Sequence, residues 1–96
     1  MKYFPLNIEL NKKSILLIGG GEVAERKLDL LMKAEAKVML VAPNFTDYLL
    51  SFGENKNLVF IHSEYTASVL DKNKFSFIIA ATNNEKLNTQ IASDAN

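Results

Sequence analysis

Apolar residues fall into short unbroken runs, and the polar stretches between them carry a helical period. Leu6, Ile8 and Leu10 alternate with polar neighbours, as in a half-buried strand, before a polar turn at Asn11-Lys12-Lys13. Residues 14–18 then give Ile15-Leu16-Leu17-Ile18 without alternation, stopping at Gly19-Gly20-Gly21. Such a run suits a strand covered on both faces, as in a parallel sheet. From Glu22 to about Ala34 the spacing predicts a helix, with Val23, Ala24, Leu28, Leu31 and Ala34 sharing a face. Glu25, Arg26, Asp29 and Lys33 lie mostly off that face. Residues 37–41 form a second buried run, ended by Ala42-Pro43-Asn44, because Pro43 has no N–H to give to a ladder.

Residues 45–52 read as a short helix closed by Gly53, and residues 58–62 as a further strand. Thr66 is placed to cap a helical turn running through Leu70. Residues 75–81 make the clearest remaining buried strand. Thr82-Asn83-Asn84-Glu85 then fits a capping box, with Thr82 as N-cap, that opens a last helix running into Ser93-Asp94-Ala95-Asn96. Strands alternating with helices predict an α/β fold with a parallel sheet.

Composition narrows the chemistry. Hydrophobic residues make up 48% and charged residues 23% of the chain, a globular balance. Eleven basic residues offset eleven acidic ones, so nothing suggests nucleic acid or a membrane surface as a partner. With no cysteine and one histidine, thiolate chemistry is excluded and no metal site is expected. No apolar stretch reaches the length of a membrane span or a signal peptide, so a cytoplasmic address is expected. At 96 residues the chain reads as one domain, residues 1–96, incomplete at its C-terminus, because a full dinucleotide-binding domain takes about 150 residues.

The candidate chemistry sits at three strand ends. Gly19-Gly20-Gly21-Glu22-Val23-Ala24 reads G-x-G-x-x-A between a buried strand and a helix. In that pattern Gly19 permits the tight turn, Gly21 lets backbone approach a pyrophosphate, and Ala24 lets the helix pack close. The helix N-terminus then faces the anion. Ala42-Pro43-Asn44 lies where such folds often carry an acid for the ribose, about 20 residues beyond the glycines. Neither an acid nor an arginine stands there, so NAD and NADP are not distinguished, and Asn44 either meets the ribose or caps a helix. Ala80-Ala81-Thr82-Asn83 ends the third strand with small residues that leave room for a flat ligand, and Thr82 is placed to cap the helix or donate to the ligand. Together these features predict a Rossmann-like parallel sheet flanked by helices, truncated before its last strands. Acids near the helix start complement its dipole, Arg26 and Lys27 read as solvated, and His62 as a surface residue at a strand end.

The stretch SILLIGGGEVAERKLDLL, with Pro5-Leu6 before it and Val41-Ala42-Pro43, Ile79-Ala80-Ala81-Thr82-Asn83-Asn84 and Leu87-Asn88 after it, resembles precorrin-2 dehydrogenase. That family also occurs as the N-terminal part of siroheme synthases. The resemblance implies NAD-dependent oxidation of precorrin-2 to sirohydrochlorin, with NAD as cofactor and a homodimer when full length. Carried over by position, the cofactor contacts fall on Gly19, Gly20, Gly21, Glu22, Val23, Ala42, Pro43, Asn44, Ala81, Thr82 and Asn83. It implies no catalytic residue within this chain, because the family's aspartate lies on the strand after the last helix. The alternative is a non-catalytic nucleotide-binding regulatory module.

Overall fold

In a computed structural model, residues 13–70 and 74–95 are described; the alternation at Leu6, Ile8 and Leu10 and the Pro5-Leu6 match lie outside them. The elements run β1 (Ser14–Ile18), α1 (Glu22–Lys33), β2 (Lys37–Ala42), α2 (Asp47–Leu50) and β3 (Leu58–His62). A 3-10 turn (Ala67–Val69), β4 (Phe77–Ala80) and α3 (Glu85–Ala95) follow. Four parallel strands form one sheet in the order β3-β2-β1-β4, with β1 paired to β2 and to β4. Placing β1 inside explains its unbroken apolar run. Ile15 and Leu17 pack with Ala24, Leu28 and Leu31 of α1, while Leu16 and Ile18 pack with Ile91 of α3. Both faces of β1 are therefore core.

Several boundaries differ from those the sequence predicts. The helix expected over residues 45–52 spans only Asp47–Leu50. Its start is delayed because the Phe45 ring packs edge-on against Phe60 and His62, and the Thr46 N–H donates to the Gly20 carbonyl at 3.1 Å. Thr46 caps this helix through its hydroxyl, which accepts from the Leu49 N–H at 3.2 Å. Asn44 is therefore not the cap. Gly53 follows the helix with φ of 70°, the left-handed value expected of a closing glycine.

Helix α1 closes without a glycine: Glu35 takes φ of 61°, its N–H donates to the Met32 carbonyl, and the Ala36 N–H donates to that of Leu31. Thr66 does not cap the turn after it; its hydroxyl pairs with that of Ser68 at 2.7 Å, leaving one 3-10 turn. The strand expected over residues 75–81 is regular only across Phe77–Ala80 and lies at an edge of the sheet, with Phe77 38% exposed. His62 ends β3 and is exposed, as its sequence context suggests. Among the described residues no helix is long and apolar enough to cross a membrane.

Candidate functional site

Parallel strands all point their carboxyl ends the same way, so the segments leaving β1, β2 and β4 meet at one edge of the sheet. They enclose a cleft of about 740 Å³ lined by Gly19, Gly20, Gly21, Glu22 and Val23, by Ala42, Pro43 and Asn44, and by Ala81, Thr82 and Asn83. All eleven residues singled out from the sequence are thus brought together at one cleft.

The three glycines differ in what demands them. Gly19 has φ of 146°, is buried, and donates its N–H to the Val41 carbonyl at 2.9 Å. A Cβ there would overlap the Ala81 carbonyl, so side-chain bulk and backbone angle both exclude other residues. Gly20 has no unusual φ, yet a Cβ on it would collide with the Asn44 carbonyl. Gly20 is therefore where the first strand end presses on the second, a role its place between the motif glycines does not signal. Gly21 is the N-cap of α1 with φ of −115°, and a Cβ on it would meet nothing within 4 Å. Neither its backbone nor its packing calls for glycine. It lines the cleft, and with no capping side chain the first N–H groups of α1 lack intrahelical partners there.

The β2 rim is tied to α1 by side chains. The Thr46 hydroxyl donates to the Glu25 carboxylate at 2.7 Å, and the Tyr48 hydroxyl to that of Asp29 at 2.7 Å. Glu25 therefore does more than complement the helix dipole. The Asp29 bond raises the Tyr48 phenol above its ordinary range.

The β4 rim departs from the expected capping box. Asn84 caps α3, its side-chain oxygen accepting from the Leu87 N–H at 3.1 Å, and Glu85 is the first helical residue. Thr82 is instead gripped by Asn88. The Thr82 N–H and hydroxyl donate to the Asn88 side-chain oxygen at 3.2 and 2.5 Å, and the Asn88 amide donates to the Thr82 carbonyl at 3.0 Å. With its one hydroxyl proton engaged, Thr82 lines the cleft without a donor to offer.

Seven further residues line the cleft, and two of them, Arg26 and Tyr65, bring polar groups that the sequence reading did not assign to it. Arg26, read as solvated, is exposed and stands on the cleft wall, because helical side chains lean toward their N-terminus. Tyr65 reaches the cleft from the loop after β3, and its hydroxyl donates to Asp94 of α3 at 2.5 Å. Burial first, and then the bond to Asp94, pushes the Tyr65 phenol up to about 12. The lean of Arg26 follows from helix geometry, but no sequence signal brings Tyr65 and Asp94 together across 29 positions.

A parallel α/β sheet whose glycine turn, bare helix N-terminus and neighbouring strand ends share one cleft has the build of a Rossmann-like nucleotide-binding unit. The chain belongs to the family described as putative NAD(P)-binding, whose model matches residues 6–96. It is 38% identical over 96 residues to the siroheme synthase of Pseudoalteromonas translucida, and 36% identical over 96 residues to siroheme synthase 1 of Klebsiella pneumoniae. Both matches cover 100% of this chain and 20% of the relative, so the chain spans about a fifth of the length of these curated proteins. The solved structure of SirC, a precorrin-2 dehydrogenase, shares the fold with a TM-score of 0.79 at 22% identity, over 94% of this chain and 44% of that one.

Proposed function

We propose that residues 1–96 form the cofactor-binding domain of an NAD-dependent precorrin-2 dehydrogenase, which oxidises precorrin-2 to sirohydrochlorin in siroheme biosynthesis. The observation that carries the reading is Gly21. Gly19 and Gly20 are demanded by the fold, whereas Gly21 leaves an empty Cβ position at the mouth of a helix N-terminus. A pyrophosphate seated against that backbone supplies the missing reason for glycine.

In this reading the N–H groups at the start of α1 hold the pyrophosphate. Pro43 and Asn44 border one nucleoside half, and Ala81, Thr82 and Asn83 border the opposite side. The Asn88 grip on Thr82 holds that side in place before ligand arrives. The cofactor supplies the hydride acceptor, and these residues bind and orient it. The substrate assignment is supported by whole-chain similarity to siroheme synthases and by the resemblance of the GGGEVAERK, VAP and AATNN segments. A homodimer as the full-length form rests on the resemblance.

Calorimetric titration of NAD+ into the intact protein tests the cofactor site. Gly21→Asp places a carboxylate beside the pyrophosphate position and is expected to weaken NAD+ binding more than about tenfold, while an acid at an N-cap leaves the fold intact. Equal affinity in both proteins, or no binding to the wild type, would remove the reading. NAD+ reduction that depends on precorrin-2 tests the reaction separately; binding without such reduction leaves the regulatory module as the reading.

A further inference from the structure

The cleft has an apolar wall that the dinucleotide reading does not use. Ile18 and Val41 lie at the ends of β1 and β2 on the face covered by α3, and with Leu87 and Tyr65 they belong to one packed cluster. All four border the cleft, but Ile18 and Val41 are buried, so Tyr65 and Leu87 carry its accessible apolar surface. The opposite wall is of different character, formed by the start of α1 with Glu22 and Arg26. One side of the cleft thus suits an anion and the other a flat apolar group.

Tyr65 is the aromatic member of the apolar wall. It lies three residues beyond His62, the end of β3, and its loop reaches α3, where the hydroxyl is held by Asp94 at 2.5 Å. Half-buried and anchored at its tip, the ring presents a fixed surface, so little side-chain entropy remains to be lost on contact. The hydroxyl is already committed, which leaves the ring as the group available to a ligand.

We propose that Tyr65 is the aromatic wall against which the adenine base of the dinucleotide packs, with Leu87 beside it; this rests on the dinucleotide reading above. Strand order selects adenine over nicotinamide. With the pyrophosphate at the start of α1, the adenosine ribose sits beyond the end of the second strand of such a unit. That strand is β2, and β3, which delivers Tyr65, is its neighbour away from β1. Tyr65 therefore reaches the cleft from the adenosine side. A base against a fixed aromatic ring gains from stacking or edge contact without needing a hydrogen bond.

The test uses the full-length protein, with AMP and nicotinamide mononucleotide as probes of the two halves. Tyr65→Leu keeps an apolar side chain but removes the ring, and is expected to weaken NAD+ and AMP about five- to tenfold. Nicotinamide mononucleotide should be unaffected, and Tyr65→Phe should recover most of the lost affinity. In the wild type, nuclear Overhauser contacts between the Tyr65 ring and the adenine protons are expected on NAD+ binding. Absence of those contacts, unchanged AMP affinity in a folded Tyr65→Leu protein, or a loss confined to nicotinamide mononucleotide would overturn the assignment. If Tyr65→Leu melts, the wild-type Overhauser contacts decide alone. Failure of the wild type to bind any of the three would instead overturn the dinucleotide reading, and this inference with it.

Discussion

The two sides of the cleft are built by different means. On the α1 side the turn itself is shaped by backbone contacts, with side-chain bonds from Thr46 and Tyr48 to α1 added outside it: Gly19 and Gly20 admit no Cβ, the Gly19 N–H binds the Val41 carbonyl, and the Thr46 N–H binds that of Gly20. On the α3 side the chain is held by side chains: Asn88 grips Thr82, and Asp94 holds Tyr65. The difference teaches where each side is vulnerable. A backbone-built rim fails where added bulk meets backbone, as at Gly19 and Gly20, whereas a side-chain-built rim fails when one particular donor or acceptor is lost.

The largest effect should come from the backbone side. Gly20→Ala drives a methyl group into the Asn44 carbonyl, and backbone cannot move aside as a flexible side chain can. A loss of about 3 kcal/mol is expected in urea unfolding of the intact protein. Gly21→Ala, one residue along, should change stability by less than about 0.5 kcal/mol, since its Cβ enters open space. Similar losses at the two positions would erase the distinction between the glycine the fold demands and the glycine it does not.

The side-chain clasp should give a middling effect. Asn88→Ala removes three bonds to Thr82 at a partly buried site, for an expected cost of about 1–2 kcal/mol. Faster amide exchange at Thr82, with α1 unaffected, would locate the damage on the α3 side; exchange spreading equally to α1 would contradict independent construction of the two rims.

The smallest effect concerns the other clasp, and its loss shows only in alkali. The Tyr65 phenol is raised in the folded state to about 12 from an ordinary value of 10.0. A raised folded value means that the protonated phenol is favoured by folding, so its stabilisation is complete below pH 10 and fades as pH climbs toward 12. Melting curves of wild type and Tyr65→Phe should therefore converge across that window. Curves that stay parallel would show that the Asp94 clasp contributes nothing to the α3 side.

Much of the fold is legible along the chain because its signals are local. The unbroken run at Ile15-Leu16-Leu17-Ile18 marks a strand with two covered faces, and Leu28 and Leu31 mark the buried side of α1. The cleft is legible for a related reason. Parallel strands must gather their carboxyl ends at one edge, so residues after the strands meet there whatever the details between them. Other features are decided by partners distant in sequence. Thr82 has the right residue type and spacing for a cap, yet its hydroxyl oxygen accepts only from the Asn84 N–H while its proton goes to Asn88, and Asn84 caps the helix that starts at Glu85. The helix at Asp47–Leu50 begins late because Phe45 is drawn onto Phe60 and His62 of a strand not yet reached by the chain.

The amino-acid order alone thus determined the alternation of elements, the buried faces and the turn that offers a helix N-terminus to an anion, since each follows from periodicity or from one residue's backbone freedom. Only the folded arrangement decided which glycine is spare and which hydroxyls are already bonded. It also decided that Tyr65 stands at the cleft. Those outcomes depend on close contact between segments far apart along the chain, and an unfolded sequence does not contain the distances that choose among competing partners.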